Sequence, residues 1–316
     1  MRISVLATAL VGLAAAPAVS HAATVVIGVP GWPSAQVTAH LIGQVMEAEL
    51  GVEARLRPIG TTELVGAIDR GEIDIHPELW LPNLETQVAA LSGPDGTLTL
   101  APTQVTASQN ICTTRDTVEL TGLTEVAQLA DPTMALWFDT DGDGRGEIWI
   151  GDFEWSSTPI ERARARSYGY DETMMLLTME EDVAMAGLDV AMATGRPMVF
   201  YCYAPHYKFE LHDVVKLEEP PHDPSAWSVL TPEEDPAWLS KAQAAMAWPA
   251  STYQLAYATD LAQTAPNVAA FLNKVTIDAE TAQAMSYAID VERRDPADVA
   301  AEWIAANADK ISEWVQ

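Results

Sequence analysis

Thr24-Val-Val-Ile-Gly-Val-Pro-Gly-Trp-Pro-Ser34 is the stretch on which the fold turns. Its β-branched start fits a strand, and Pro30-Gly31 ends it. Ser34 is then expected to cap a helix in which Val37, Leu41, Val45 and Leu50 fall near one face, until Gly51 stops it. The same order recurs at once. Residues 52–59 read as a second strand and 61–71 as a short helix with a glycine end. Ile73-Asp-Ile-His-Pro-Glu-Leu-Trp80 reads as a third strand running into a loop. Alternating β and α elements predict a parallel sheet flanked by helices, with the loops at the strand ends facing a ligand.

The pattern continues down the chain. Residues 105–113, 134–138, 197–203 and 252–257 have strand character. Segments 118–129, 157–168, 180–194, 267–274, 279–288 and 296–314 have helical character. Two α/β lobes account for this order, the first built from both chain ends and the second from the middle.

At the N-terminus, Met1-Arg-Ile-Ser followed by an apolar Ala/Leu/Val run and Ser20-His-Ala22 has the layout of a signal peptide, with cleavage expected after Ala22. Such a leader implies export. The net charge of −28, from 45 acidic against 17 basic residues, repels nucleic acid and anionic lipid as partners. In an exported protein, Cys112 and Cys202 are free to form a disulfide closing a long loop, but their spacing does not settle whether they meet. His40, His76, His206, His212 and His222 show no ligand spacing and read as structural. No G-x-S-x-G elbow, P-loop or zincin motif is present, so an enzyme has no support in the sequence.

Two features of the middle of the chain carry chemistry. Asp139, Asp141 and Asp143 stand at every second position before Gly144, a spacing that brings carboxylate oxygens together on a tight turn. In a calcium loop the Arg145 carbonyl and Glu147 would follow as ligands, but Ile150 stands where a bidentate Glu belongs. The run fits either a structural calcium site made by Asp139, Asp141, Asp143, Arg145 and Glu147 or a polar turn closed by side-chain to backbone hydrogen bonds. Just beyond it, Phe153-Glu-Trp-Ser-Ser157 presents Glu154 and Trp155.

Gly71-Glu-Ile-Asp-Ile-His-Pro-Glu-Leu-Trp-Leu-Pro82, Leu136-Trp-Phe-Asp-Thr-Asp-Gly-Asp-Gly144, Phe153-Glu-Trp-Ser-Ser157, Val199-Phe-Tyr-Cys-Tyr-Ala-Pro-His206 and Trp248-Pro-Ala-Ser251 together resemble the glycine betaine and quaternary-amine substrate-binding proteins of ABC transporters. The resemblance implies a two-lobed periplasmic-binding-protein fold of type II-like form, each lobe a mainly parallel sheet flanked by helices. Lobe I is expected over residues 23–109 plus 250–316 and lobe II over 110–249, with hinge strands near 106–113 and 249–256. It also implies a monomer that hands a small methylated amine to a membrane permease and its ATPase subunit.

The family's aromatic box maps onto Trp80, Trp155 and Tyr203, and position alone adds Trp32 and Trp248. Ring faces suit a trimethylammonium head, which offers diffuse charge and methyl surface but no hydrogen-bond donor. Trp137 and Trp149 read as core, and Trp303 and Trp314 as core or lobe-surface residues. Two departures shape the ligand. Asn83-Leu84 follows Pro82 where betaine binders commonly place a histidine, and an ionised Glu154 beside Trp155 would repel a carboxylate. These rank trimethylamine N-oxide first, then choline or glycine betaine. The alternative from another class is a calcium-stabilised extracytoplasmic adhesion or structural module without a transport role.

Overall fold

The computed structural model describes residues 24–232 and 235–316; the expected signal peptide and the cleavage after Ala22 lie outside the described residues. Among the described residues nine strands form one continuous sheet: β1 Val25–Val29, β2 Ala54–Pro58, β3 Ile75–Leu81, β4 Leu98–Thr114, β5 Gly146–Trp149, β6 Met174–Leu177, β7 Val199–Ala204, β8 Val214–Lys216 and β9 Ser251–Ala258. Their order is β2-β1-β3-β9-β4-β7-β5-β6, with β8 paired to β4. β1, β2 and β3 are mutually parallel at one end, and β5, β6 and β7 at the other. The long strands β4 and β9 run antiparallel between the two trios.

β4 is the seam. It pairs with β9 up to Ala107 and with β7 from Ser108 onward, so a single strand passes from one parallel trio to the other. Each trio has its own apolar core. Ile27, Leu41, Ile42, Met46, Leu64 and Ile73 are buried in the first, and Ile111, Phe138, Ile148, Tyr170 and Phe200 in the second. Cys112 and Cys202 form a disulfide between β4 and β7, with Cα atoms 5.8 Å apart. Closing a loop with a sequence separation of 90 residues contributes roughly 4–5 kcal/mol in the chain-entropy limit.

Several elements differ from the sequence reading, each for a local reason. Ser34 is not a cap: Trp32 occupies that position, Pro33 opens helix α1 (Pro33–Leu50), and the Ser34 hydroxyl turns inward to Glu78. Residues 134–138 are helical turns rather than a strand, because Asp131 caps the Thr133 N–H and Pro132 sets the first turn. The helix expected over 118–129 spans Arg115–Thr121, stops at Gly122 with φ 73°, and gives way to a 3-10 turn at Val126–Ala130. The C-terminal helix breaks at Asn307 into Pro296–Ala306 and Ala308–Val315. Among the described residues no helix is long and apolar enough to cross a membrane.

Candidate functional site

Four chain segments bring aromatic rings to one pocket in the cleft between the trios. β1 leads through Pro30-Gly31 to Trp32, β3 carries Trp80 near its end, the turn after β5 presents Trp155, and β7 carries Tyr201 and Tyr203. Trp32, Trp80, Trp155 and Tyr203 are all buried, the most exposed of them at 8%. Their rings form an arc of edge-to-face contacts. Centroids lie 6.2 Å apart for Trp32 and Trp155, 5.6 Å for Trp155 and Tyr203, and 5.5 Å for Tyr203 and Trp80. Edge-to-face packing turns the negative face of one ring toward the positive rim of the next. Tyr253 stacks on Trp80 at 5.1 Å, and Trp149 backs Trp155 at 5.7 Å.

The rest of the pocket wall is neutral and polar. Thr61, Asn83, Gln109, Ser156 and Ser157 line it with Leu84, and among the described residues no charged side chain does. Asn83 and Gln109 exchange amide hydrogen bonds at 2.9 and 2.8 Å, and Gln109 also accepts from the Tyr201 hydroxyl at 2.9 Å and donates to Ser251 at 3.0 Å. These bonds fix the wall. Ser156 and Ser157 stand at the N-terminus of the Ser157–Tyr168 helix, where backbone N–H groups favour a partial negative charge. The Trp155 Nε1–H is buried with no hydrogen-bond partner among the described residues.

Behind the rings, buried acids hold their polar edges. Trp32 donates Nε1–H to Glu78 at 2.6 Å, and the Tyr203 hydroxyl donates to Glu181 at 3.0 Å. Burial pushes the Glu78 carboxyl up to about 7, against the pull of hydrogen bonds from Trp32, Ser34, Thr38 and Trp80. Burial likewise raises Glu181 to about 7, while the Lys208 ammonium works the other way.

The two halves also touch through Thr61, which opens helix α2 (Thr61–Asp69). Its N–H and hydroxyl reach the Glu154 carbonyl at 3.1 and 3.3 Å, and its hydroxyl oxygen accepts the Ser156 N–H at 2.9 Å. Gly60 makes this approach feasible, because an added Cβ would lie 2.9 Å from the Glu154 Cβ.

A model of the substrate-binding domain of ABC-type glycine betaine transport systems matches residues 23–306. The chain belongs to this family. Its members are transport binding domains, not enzymes. The chain is 25% identical over 118 residues to the glycine betaine/proline betaine-binding periplasmic protein of Salmonella typhimurium, covering 36% of each chain. The glycine betaine-binding periplasmic protein of Dickeya dadantii matches to the same extent, so the matched stretch spans just over a third of the length of these relatives.

Solved structures agree on the two-lobed fold. An ABC-transporter choline-binding protein in complex with choline superposes with a TM-score of 0.72 at 17% identity, over 92% of this chain and 91% of that one. The lactococcal glycine betaine-binding protein, in its closed, liganded conformation, superposes with a TM-score of 0.69 at 15% identity, over 93% of this chain and 99% of that one.

Within this family frame the structure brings together Trp32, Trp80, Trp155 and Tyr203 from the expected set, and moves two residues out. Trp248 is buried elsewhere: it donates Nε1–H to Glu161 at 2.5 Å and packs 5.7 Å from the Arg164 guanidinium. It precedes β9 by three residues and falls in the packed layer beneath the Ser157–Tyr168 helix instead of the cleft. Glu154 is exposed. Its N–H bonds the Asp152 carboxylate at 2.8 Å, and this turn sends Trp155 inward and its neighbour outward. Only its backbone carbonyl takes part, as the acceptor for Thr61. Trp149 is buried as expected for a core residue, whereas Trp137 is 47% exposed and is not one.

The sequence reading also missed Thr61, Gln109, Ser156, Ser157 and Tyr201 on the wall and Glu78 and Glu181 behind it. The one available signal was Glu78, a carboxylate inside an otherwise apolar strand pattern.

The acidic loop is a separate place. Asp139, Asp141 and Glu147 have ligand oxygens within 4.8 Å of one another. Asp143 stands outside that group, its carboxylate accepting the Arg145 N–H at 2.8 Å; the Arg145 guanidinium donates to the carbonyls of Asp171 and Met174, which leaves the part expected of its own carbonyl untouched. Asp139 accepts N–H groups from Gly142 and Gly144, Asp141 accepts from Asp143, and Glu147 accepts from Thr140. The turn is therefore closed by its own hydrogen bonds.

Proposed function

We propose that this chain captures a small trimethylammonium-type osmolyte in the ring arc formed by Trp32, Trp80, Trp155 and Tyr203 and delivers it to a membrane permease with its ATPase subunit. The observation that carries the reading is that these four rings, from four distant segments, border one pocket between the lobes. Each ring contributes about 0.5–2 kcal/mol to a desolvated quaternary ammonium, and together with methyl burial this reaches the roughly −8 kcal/mol of micromolar binding. The lobes are taken as residues 23–109 plus 250–316 and 110–249, a division supported by the change of β4 partners between Ala107 and Ser108. The same reading makes the protein a periplasmic monomer, in keeping with relatives named as periplasmic.

For the ligand's other end the wall supplies neutral donors: the Ser156 and Ser157 hydroxyls, the helix N-terminus behind them and the unpartnered Trp155 N–H. An N-oxide oxygen, a choline hydroxyl or a carboxylate would each accept from them. With the Glu154 side chain outside the pocket, its charge no longer disfavours a carboxylate, and trimethylamine N-oxide stands level with choline and glycine betaine. Calorimetric titration against these three compounds tests the reading; binding of none of them, with the protein folded, would remove it.

A structural calcium ion at Asp139, Asp141 and Glu147 is a second, separate proposal, supported by the convergence of their oxygens. A melting temperature indifferent to calcium and chelator would overturn it. Family membership leaves no reason to retain the adhesion-module alternative.

A further inference from the structure

Glu78 is 2% exposed and is surrounded by donors: Trp32 Nε1 at 2.6 Å, Ser34 Oγ at 3.0 Å and Thr38 Oγ1 at 3.4 Å. Ser34 and Thr38 belong to the first turns of α1, where the helix dipole favours an anion. Every one of these contacts suits a carboxylate. None of them neutralises it.

Among the described residues no arginine, lysine or histidine forms an ion pair with Glu78. His76, on the same strand, is fully buried with both ring nitrogens unpartnered, and burial keeps it neutral. A carboxylate buried without a cation is costly by several kcal/mol, and burial accordingly raises Glu78 to about 7; a cation brought beside it would favour the ionised form that these donors suit.

The other acid behind the rings makes the contrast. Glu181 takes the Tyr203 hydroxyl, but the buried Lys208 ammonium acts on it as a compensating charge. Lys208 Nζ itself lies 4.9 Å from the Tyr203 ring centroid. Glu78 has no such lysine among the described residues, and it holds the edge of Trp32, a ring that faces the pocket.

We infer that Glu78 is the counter-charge of the box, a positioning residue whose carboxylate holds the edge of Trp32 and is electrically completed by the quaternary ammonium of the ligand. The inference rests on the aromatic-box reading above. Two effects act together. The carboxylate attracts the cation across the ring layer, where little water screens it. Its hydrogen bond with the Trp32 N–H also pushes electron density into the indole and makes the face toward the ligand more negative.

The test separates charge from shape. Each methylated amine that binds is titrated beside its uncharged-centre carbon isostere: choline with tert-butylethanol, glycine betaine with tert-butylacetate, and trimethylamine N-oxide with tert-butanol. Glu78→Gln keeps an acceptor oxygen for Trp32 but removes the charge. It is expected to weaken the amine at least 30-fold and its isostere less than threefold. Equal losses for both members of a pair would assign Glu78 a purely structural role, and unchanged amine affinity would give it none; either overturns the inference. Should Glu78→Gln not fold, Trp32→Phe, which keeps a ring but breaks the link to Glu78, must show the same selective loss of the amine, and equal losses overturn the inference. If the wild-type protein binds no methylated amine, the box reading itself fails; if it binds one tightly and Glu78→Gln leaves that unchanged, only the counter-charge fails.

Discussion

The ring arc in the cleft and the acidic loop at 139–147 both stood out in the sequence, yet they are built on opposite plans. The loop is local: every carboxylate in it finds a backbone N–H within a few residues. The arc is remote: Trp32, Trp80, Trp155 and Tyr203 come from four segments, and the polar edges of Trp32 and Tyr203 are met by Glu78 and Glu181, 46 and 22 residues away. A motif that satisfies itself needs no ligand to be stable. Among the described residues the pocket, by contrast, leaves an indole N–H unpartnered and the acid behind it without an ion pair.

The strongest way to break this comparison is to remove a ring. Trp155→Ala deletes the member of the arc that touches both Trp32 and Tyr203. Methylamine affinity should fall about 100-fold or more, equivalent to about 2.7 kcal/mol, while the protein without ligand stays folded with a melting temperature lowered by about 10 °C, because a buried ring is lost. Retained affinity in calorimetry would exclude Trp155 from the site.

The disulfide offers the next largest effect, on stability. It ties β4 to β7, the strand carrying Tyr201 and Tyr203. Replacing both cysteines by serine should lower the melting temperature by about 10 °C, using the chain-entropy contribution and the shift of roughly 2–4 °C per kcal/mol for a chain of this size. A loss below about 2 °C would show that the strand pairing alone holds this wall.

The buried acids give a smaller, pH-dependent signature. Burial raises Glu78, Glu219 and Asp290 to about 7 in the folded protein, above their values in an unfolded chain. Between about pH 4.5 and 7 the folded state therefore holds more protons than the unfolded one, so the stability these groups contribute is present at the acid end and lost as pH rises through 7. Melting temperatures should be several degrees higher near pH 5 than near pH 7.5; the reverse order would place these acids in a more polar setting.

Two substitutions are expected to do little, and they sharpen the contrast. Glu154→Gln should change affinity for any methylamine less than twofold, because only the backbone of that residue reaches across the cleft. Calcium should raise the melting temperature by only about 1–3 °C, and Asp139→Asn should abolish that rise. Saturating methylamine should add more, since a hundredfold excess over Kd stabilises by about 2.7 kcal/mol.

How much of this was written in the sequence depends on range. The strands and helices from residue 24 to residue 81 follow from alternation, glycine stops and β-branched runs, all of which act between neighbours along the chain. The short strands β5 and β6 left no such trace, and 134–138 mimicked a strand until the Asp131–Pro132 cap decided otherwise. Trp80 and Trp155, which line the pocket, were legible because their flanking motifs resemble the family's, and Trp32 from its position at the end of the first strand. Glu154 and Trp248 were misplaced, since adjacency to a binding residue or to a hinge does not say which way a side chain turns.

By itself, then, the sequence determined the α/β alternation, the acidic character and the supply of rings. Only the tertiary structure decided which rings share a pocket, that Cys112 meets Cys202, and that Glu78 lies behind the indoles with no cation of its own. The physical reason is that secondary structure is set by interactions a few residues apart, whereas a binding pocket is set by which buried surfaces the two halves press together. That choice belongs to β4 and β9, which fix how the halves meet.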